Sequence, residues 1–198
     1  MKPQISITTF FNYDIPISEQ IPMISKAGFT HVSLGGNLSH FNYLDSNERL
    51  KLKEVLKKYS LKVDTVHGCT ADSDNSLEKL KGAVEAAHDL GAEVVVSHLS
   101  QFFIKPDQVE ANVTNALKVC EKLEPIAEKY DIRFALENVH PGSATVVLRR
   151  VLPELNEKYF GFCYDSSHDQ IDGPVPFKLL EQFGDRIFAV HMSDRIKV

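Results

Sequence analysis

Six side chains in this sequence have the types and spacing of a metal or proton-transfer centre: His67, His98, Glu137, Asp165, His168 and His191. Each stands at or just past the end of a short run of strand-forming residues. The densest case is Phe160-Gly161-Phe162-Cys163-Tyr164-Asp165-Ser166-Ser167-His168, an apolar run that closes on an acid and then a histidine. Imidazole together with carboxylate suits a divalent first-row cation such as manganese, zinc, cobalt or iron. Carboxylates can bridge two ions, so six such residues can hold more than one.

Every one of these residues has an ordinary alternative. A strand-end Asp such as Asp165 caps the helix that follows. His67 and His98 fit as hydrogen-bonded core histidines, and Glu137 has Arg133 nearby to pair with. His168 fits a plain loop, and His191 can cap a turn. Recurrence separates the two readings: the same kind of residue ends strand after strand, and a parallel barrel gathers strand ends on one face. His31 starts a strand, His88 lies in a helix, and His40 and His140 fall in loops, so these four are set aside. Cys163 shares the strand face of Asp165 and reads as a packed interior thiol. Cys69 reads as a surface-loop thiol and Gly35-Gly36-Asn37 as a plain turn.

The elements that must position these groups alternate along the whole chain. Ile5 to Phe10 reads as a first strand, followed by a helix from an N-cap at Ser18 to a stop at Gly28. His31 to Leu34 is a second strand. Asp45 and Glu48 have capping-box spacing for a helix to Tyr59. Leu61 to His67 is the third strand, and a helix after Asp72–Asn75 closes at Gly91. The consecutive valines of Glu93 to His98 mark a fourth strand buried on both faces. The helix from Pro106 onward is expected to kink or restart at Pro125. Arg133 to Glu137 is strand five, Ala144 to Asn156 a helix disturbed by Pro153, and the 160–165 run strand six. Pro176 to Phe183 is a helix stopped by Gly184, and Arg186 to His191 is strand seven. Such alternation implies a parallel sheet, doubly wound or closed. Asn12-Tyr13-Asp14 is not the glycine-rich turn of a dinucleotide-binding fold, so the expectation is an α/β barrel of the TIM type in a single domain over residues 1–198.

Composition narrows the function classes. The 198 residues suit one domain, 43% are hydrophobic, and 22 basic against 27 acidic residues give a net charge of −5. That balance makes nucleic acid an unlikely partner. There is no apolar run of the ~20 residues a membrane span needs and no signal-peptide pattern at the N-terminus, so a cytoplasmic protein is expected. Three cysteines without a CxxC pair read as reduced thiols.

Leu136-Glu137-Asn138, Tyr164-Asp165-Ser166-Ser167-His168 and His191-Met192-Ser193-Asp194 resemble the xylose-isomerase-like barrel superfamily, which includes sugar-phosphate isomerases and epimerases and the endonuclease IV class of abasic-site nucleases. The resemblance implies that Glu137, Asp165 and His191 are metal ligands. It implies that His168 is a substrate contact, as in the epimerases, or a ligand to an additional metal, as in the nucleases. His67 and His98 match positions where the nucleases hold an extra zinc. The Asp-x-His that often follows strand seven is absent, and the family's eighth strand with its Glu has no counterpart after His191. A seven-stranded sheet with two open edges is therefore expected, with weakened metal affinity and an edge on which a second copy can pair.

Three functions follow as expectations. The first is a divalent-metal-dependent isomerase or epimerase on a small keto sugar or sugar phosphate, with Glu137 as candidate base and His168 on the substrate. The second is a zinc phosphodiesterase on abasic-site DNA, and the third a non-catalytic incomplete barrel.

Overall fold

The strand-forming runs pair side by side in the order in which they occur. The computed structural model describes residues 4–171 and 176–193. Strands β1 (Ile7–Thr8), β2 (His31–Leu34), β3 (Lys62–His67), β4 (Val94–Ser97), β5 (Arg133–Glu137), β6 (Phe160–Asp165) and β7 (Ile187–His191) form one sheet in sequential order, all parallel. Parallel neighbours need crossovers. These are α1 (Ile17–Lys26), α2 (Ser46–Lys58), α3 (Asp74–Leu90), α4 (Val109–Tyr130), α5 (Ser143–Val151) and, between β6 and β7, α6 (Ser166–Asp169) and α7 (Lys178–Phe183). The sheet curls, so that β7 comes back into contact with β4 and β5. Among the described residues β1 and β7 are its two edges, as the seven-strand reading expects.

Period-two alternation divides the side chains between two cores. Val95, Phe134, Leu136, Phe160 and Phe162 face the helices and join the large cluster there. Val94, Val96, Ala135 and Cys163 face inward and form a smaller cluster with Phe188 and Ala189. Glu137, Asp165 and His191 continue the inner face one step toward the strand ends. In register, Glu137 lies opposite Cys163, and Asp165 opposite His191.

Several sequence expectations are corrected. β1 stops at Thr8, because Thr9–Phe11 turn into a 3₁₀ helix in which the Thr8 hydroxyl accepts the Phe10 N–H and the buried Thr9 hydroxyl accepts the Gly35 N–H. α1 begins before Ser18, with Pro16 at its N-cap and no side-chain cap. Asp45 caps α2 through the Asn47 N–H, but the Glu48 carboxylate accepts the Asn42 N–H, so no reciprocal box forms. α4 runs unbroken through Pro125: Pro125 and Glu121 are both exposed, so water can serve the carbonyl the proline leaves unpaired. The helix after β5 ends at Val151, where Leu152–Glu154 tighten into a 3₁₀ turn around Pro153. Cys69 is half-buried rather than a surface thiol, and its Sγ reaches the Ser76 carbonyl at 3.7 Å.

Gly161 in β6 is required by what crosses it. A Cβ there would lie in the Phe188 ring and 2.6 Å from the Arg186 carbonyl oxygen. Arg186 cannot retreat, because its guanidinium donates to the Leu152, Leu155 and Phe160 carbonyls at 2.9, 3.2 and 2.8 Å. Gly161→Ala is expected to force β6 from β7 and cost about 1–3 kcal/mol, the usual penalty of overpacking. Thermal unfolding checks this, and an unchanged midpoint would contradict the packing described.

Candidate metal centre

Glu137 is the group on which the other five converge. It ends β5 on the inner face with 3% of its surface exposed. His67 Nε2 from the tip of β3 and His98 Nε2 from just past β4 each lie 3.0 Å from Oε2. His191 Nδ1 at the tip of β7 lies 2.9 Å from Oε1, and His168 Nδ1 in α6 lies 3.5 Å from the same oxygen. The Asp165 carboxylate stands 3.8 Å from both His168 and His191. All six sequence candidates are thus brought together. Arg133, the ordinary partner considered for Glu137, pairs with Glu93 instead.

These contacts set the charges. Burial pushes the Glu137 carboxyl upward, but hydrogen bonds from His191, His67 and His98 outweigh it and hold the group well below the usual carboxylate range. Burial pulls His191 down, and the Glu137 hydrogen bond and charge, with Asp165 and Asp64 beyond, raise it above the ordinary imidazole value. The two shifts have opposite signs in pH. The stability from Glu137 is present above about 4.3 and is lost as pH falls through the depressed value. The stability from His191 is present below about 6.5 and is lost as pH rises through the raised value. The cation-free protein should gain most from the pair between those limits, and Glu137→Gln should flatten that feature of Tm against pH. Superimposable pH profiles for the two proteins would contradict the pairing.

Backbone carbonyls, which can only accept, anchor two of the imidazoles. His67 Nδ1 donates to the Gly68 carbonyl at 2.9 Å, while its Nε2 meets the Glu137 carboxylate at 3.0 Å. An imidazole anchored through one N–H with its other nitrogen facing a carboxylate has the arrangement of a metal ligand. His168 Nδ1 donates to the Asn138 carbonyl at 2.9 Å, which leaves Nε2 as the acceptor nitrogen, with no hydrogen bond to it among the described residues. The donor set therefore fits a divalent cation: the ionised Glu137 and the Asp165 carboxylate stand among imidazoles, two of which are anchored through a ring nitrogen.

Asp165 takes the capping role considered for it and keeps its second oxygen toward the cluster. Oδ1 accepts the His168 N–H at 2.7 Å and the Ser167 hydroxyl at 2.8 Å and so caps α6, while Oδ2 faces His191. Asn138, whose role sequence reasoning missed, bridges the tips of β5 and β6. Its side chain accepts the Asp165 N–H at 2.7 Å and donates to the Asp165 carbonyl at 2.9 Å. The signal was present in its place directly after Glu137. The Cys163 Sγ lies close enough to Glu137 and His191 to form a ligand group with them, although burial, with the charges of Glu137 and Asp165, pushes its thiol well up.

Aromatic rings flank the cluster. Phe10 leans on His67 with centroids 5.8 Å apart, and Phe102 meets His168 edge-on at 5.1 Å. Of the four histidines set aside, His140 packs on Phe103 at 4.5 Å with its Nδ1 held by the Pro141 carbonyl, and His40 holds the Ile15 carbonyl at 2.8 Å. His31 contacts the Thr30 hydroxyl, and His88 packs on Tyr130. None of the four joins a ligand group among the described residues.

Comparison with known proteins places this chain among relatives. The uncharacterized protein y4fM of Sinorhizobium fredii is 22% identical over 92% of this chain and 70% of its own length. Among solved structures, a D-tagatose 3-epimerase-like protein superposes with a TM-score of 0.79 at 21% identity, covering 97% of this chain and 76% of that one. The IolI protein with a bound zinc atom gives 0.74 at 20% identity, covering 96% and 72%. An AP endonuclease family 2 protein from Brucella melitensis gives 0.64 at 17%, covering 96% and 78%. No described helix is long and apolar enough to cross a membrane. The sequence pattern of the xylose isomerase-like TIM barrel matches residues 21–198, almost the whole of the sheet and every member of the Glu137 cluster, and the chain belongs to that family.

Proposed function

We propose that this protein is a divalent-metal-dependent isomerase or epimerase acting on a small keto sugar or sugar phosphate. One observation carries the reading: a buried, ionised Glu137 ringed by imidazoles stands beside His168, whose Nε2 has no hydrogen bond among the described residues. A cation site next to a proton acceptor is what moving a proton alpha to a carbonyl requires. The similarity to a D-tagatose 3-epimerase-like protein and to zinc-bound IolI supports it.

Glu137, Asp165 through Oδ2 and His191 would hold the cation, with His67 and His98 as a further donor pair on the Oε2 side. When bound, a divalent cation polarises a carbonyl and acidifies the neighbouring C–H. The protein's own groups do the rest. His168 takes or returns the proton at Nε2 while Nδ1 stays bonded to the Asn138 carbonyl, so the ring is held during transfer. The low proton affinity of Glu137 suits a permanent negative charge better than the base role, which passes to His168. Phe10 and Phe102 offer apolar faces beside the imidazoles, against which the C–H face of a sugar can pack.

The phosphodiesterase reading has less support. The loops after the first four strands carry a single cation, Lys105, where a duplex backbone calls for several. Incubation in D₂O with a panel of ketoses and their phosphates, with manganese, zinc or cobalt, is expected to show metal-dependent exchange of an alpha proton. Cleavage of abasic-site DNA without exchange on any sugar would overturn the proposal.

A further inference from the structure

Directly below Glu137 the inner face of the sheet carries a small apolar cluster, and Cys163 is its one thiol. Cys163 lies opposite Glu137 in register and one inward step below Asp165, wholly buried among Val94, Val96, Ala135, Phe188 and Ala189. Its Sγ, a Glu137 oxygen and a His191 nitrogen all lie within 4.8 Å of one another. Three strands thus bring a thiol, a carboxylate and an imidazole to one point. The two non-sulfur members are those to which the proposed function already gives the cation, and this inference rests on that part of it.

We propose that Cys163 is a donor to the cation held by Glu137 and His191, and that it makes the centre selective for thiophilic divalent ions. Sulfur favours zinc, cobalt and cadmium, whereas manganese and magnesium prefer oxygen. Ligation breaks the S–H bond, forms a sulfur–metal bond and releases the proton to solvent, with no change of oxidation state. Packing against small apolar side chains keeps water from competing at the sulfur. The two other thiols cannot take its place: Cys120 is in the middle of α4, and Cys69 is bonded toward Ser76 in the loop after β3.

Cobalt reports the bond directly, through a sulfur-to-cobalt charge-transfer band in the near ultraviolet. The Cys69→Ser/Cys120→Ala protein, with Cys163 as its only thiol, is expected to bind cobalt and show the band. Cys163→Ser is expected to lose the band and to bind cadmium about tenfold more weakly or worse, while its manganese affinity is unchanged. X-ray absorption at the zinc edge of the unsubstituted protein gives the same answer without mutation, as one sulfur scatterer near 2.3 Å. Cobalt bound without the band, or a zinc shell of nitrogen and oxygen alone, would overturn the inference and leave the sugar reading standing. No cobalt or zinc binding at all would overturn both.

Discussion

Glu137→Gln is expected to lower divalent-cation affinity by roughly 10²-fold or more and to abolish metal-dependent turnover, while the fold persists. The carboxylate has both oxygens engaged, Oε2 by His67 and His98 and Oε1 by His191. An amide keeps the shape but loses the charge and presents an NH₂ where one oxygen stood. Neutral imidazoles can change tautomer to accept from that NH₂, so packing around β5 should hold. Equilibrium dialysis with zinc and circular dichroism together read the result. A folded variant with full occupancy and turnover would show that Glu137 is not the anchor.

His168→Gln should separate chemistry from binding. With Nδ1 given to Asn138 and no hydrogen bond on Nε2 among the described residues, His168 serves in the proposed mechanism as a proton carrier rather than a ligand. Loss of a positioned acid–base typically costs 10²–10⁴-fold in rate. The variant is expected to show kcat reduced by about that factor and to lose the imidazole limb of its pH profile, with zinc affinity changed by less than about tenfold. Metal lost while turnover persists on added cation would assign His168 to the ligand shell instead.

The positions of these groups were legible in the sequence for a physical reason. Alternation puts every second residue of a strand on one face, and a parallel sheet points all its C-terminal ends the same way, so a His or Glu at each run's end must share one site. Order and type of elements followed from the same alternation. What each atom does depends on partners distant in sequence and was not legible. Oδ1 of Asp165 is occupied by helix capping only because α6 starts at once. The tautomer of His168 is set by the Asn138 carbonyl, thirty positions away. β1 is cut short because Thr9 turns to meet Gly35. Pro125 looked like a break, but its cost depends on which face of α4 is wet.

The most direct test of the account is zinc anomalous diffraction from crystals of the zinc-loaded protein. The account predicts a peak within bonding distance of Glu137, the Oδ2 side of Asp165 and His191, with His168 Nδ1 still on the Asn138 carbonyl. Zinc confined to surface carboxylates, with the Glu137 cluster still closed on its own hydrogen bonds, would contradict it.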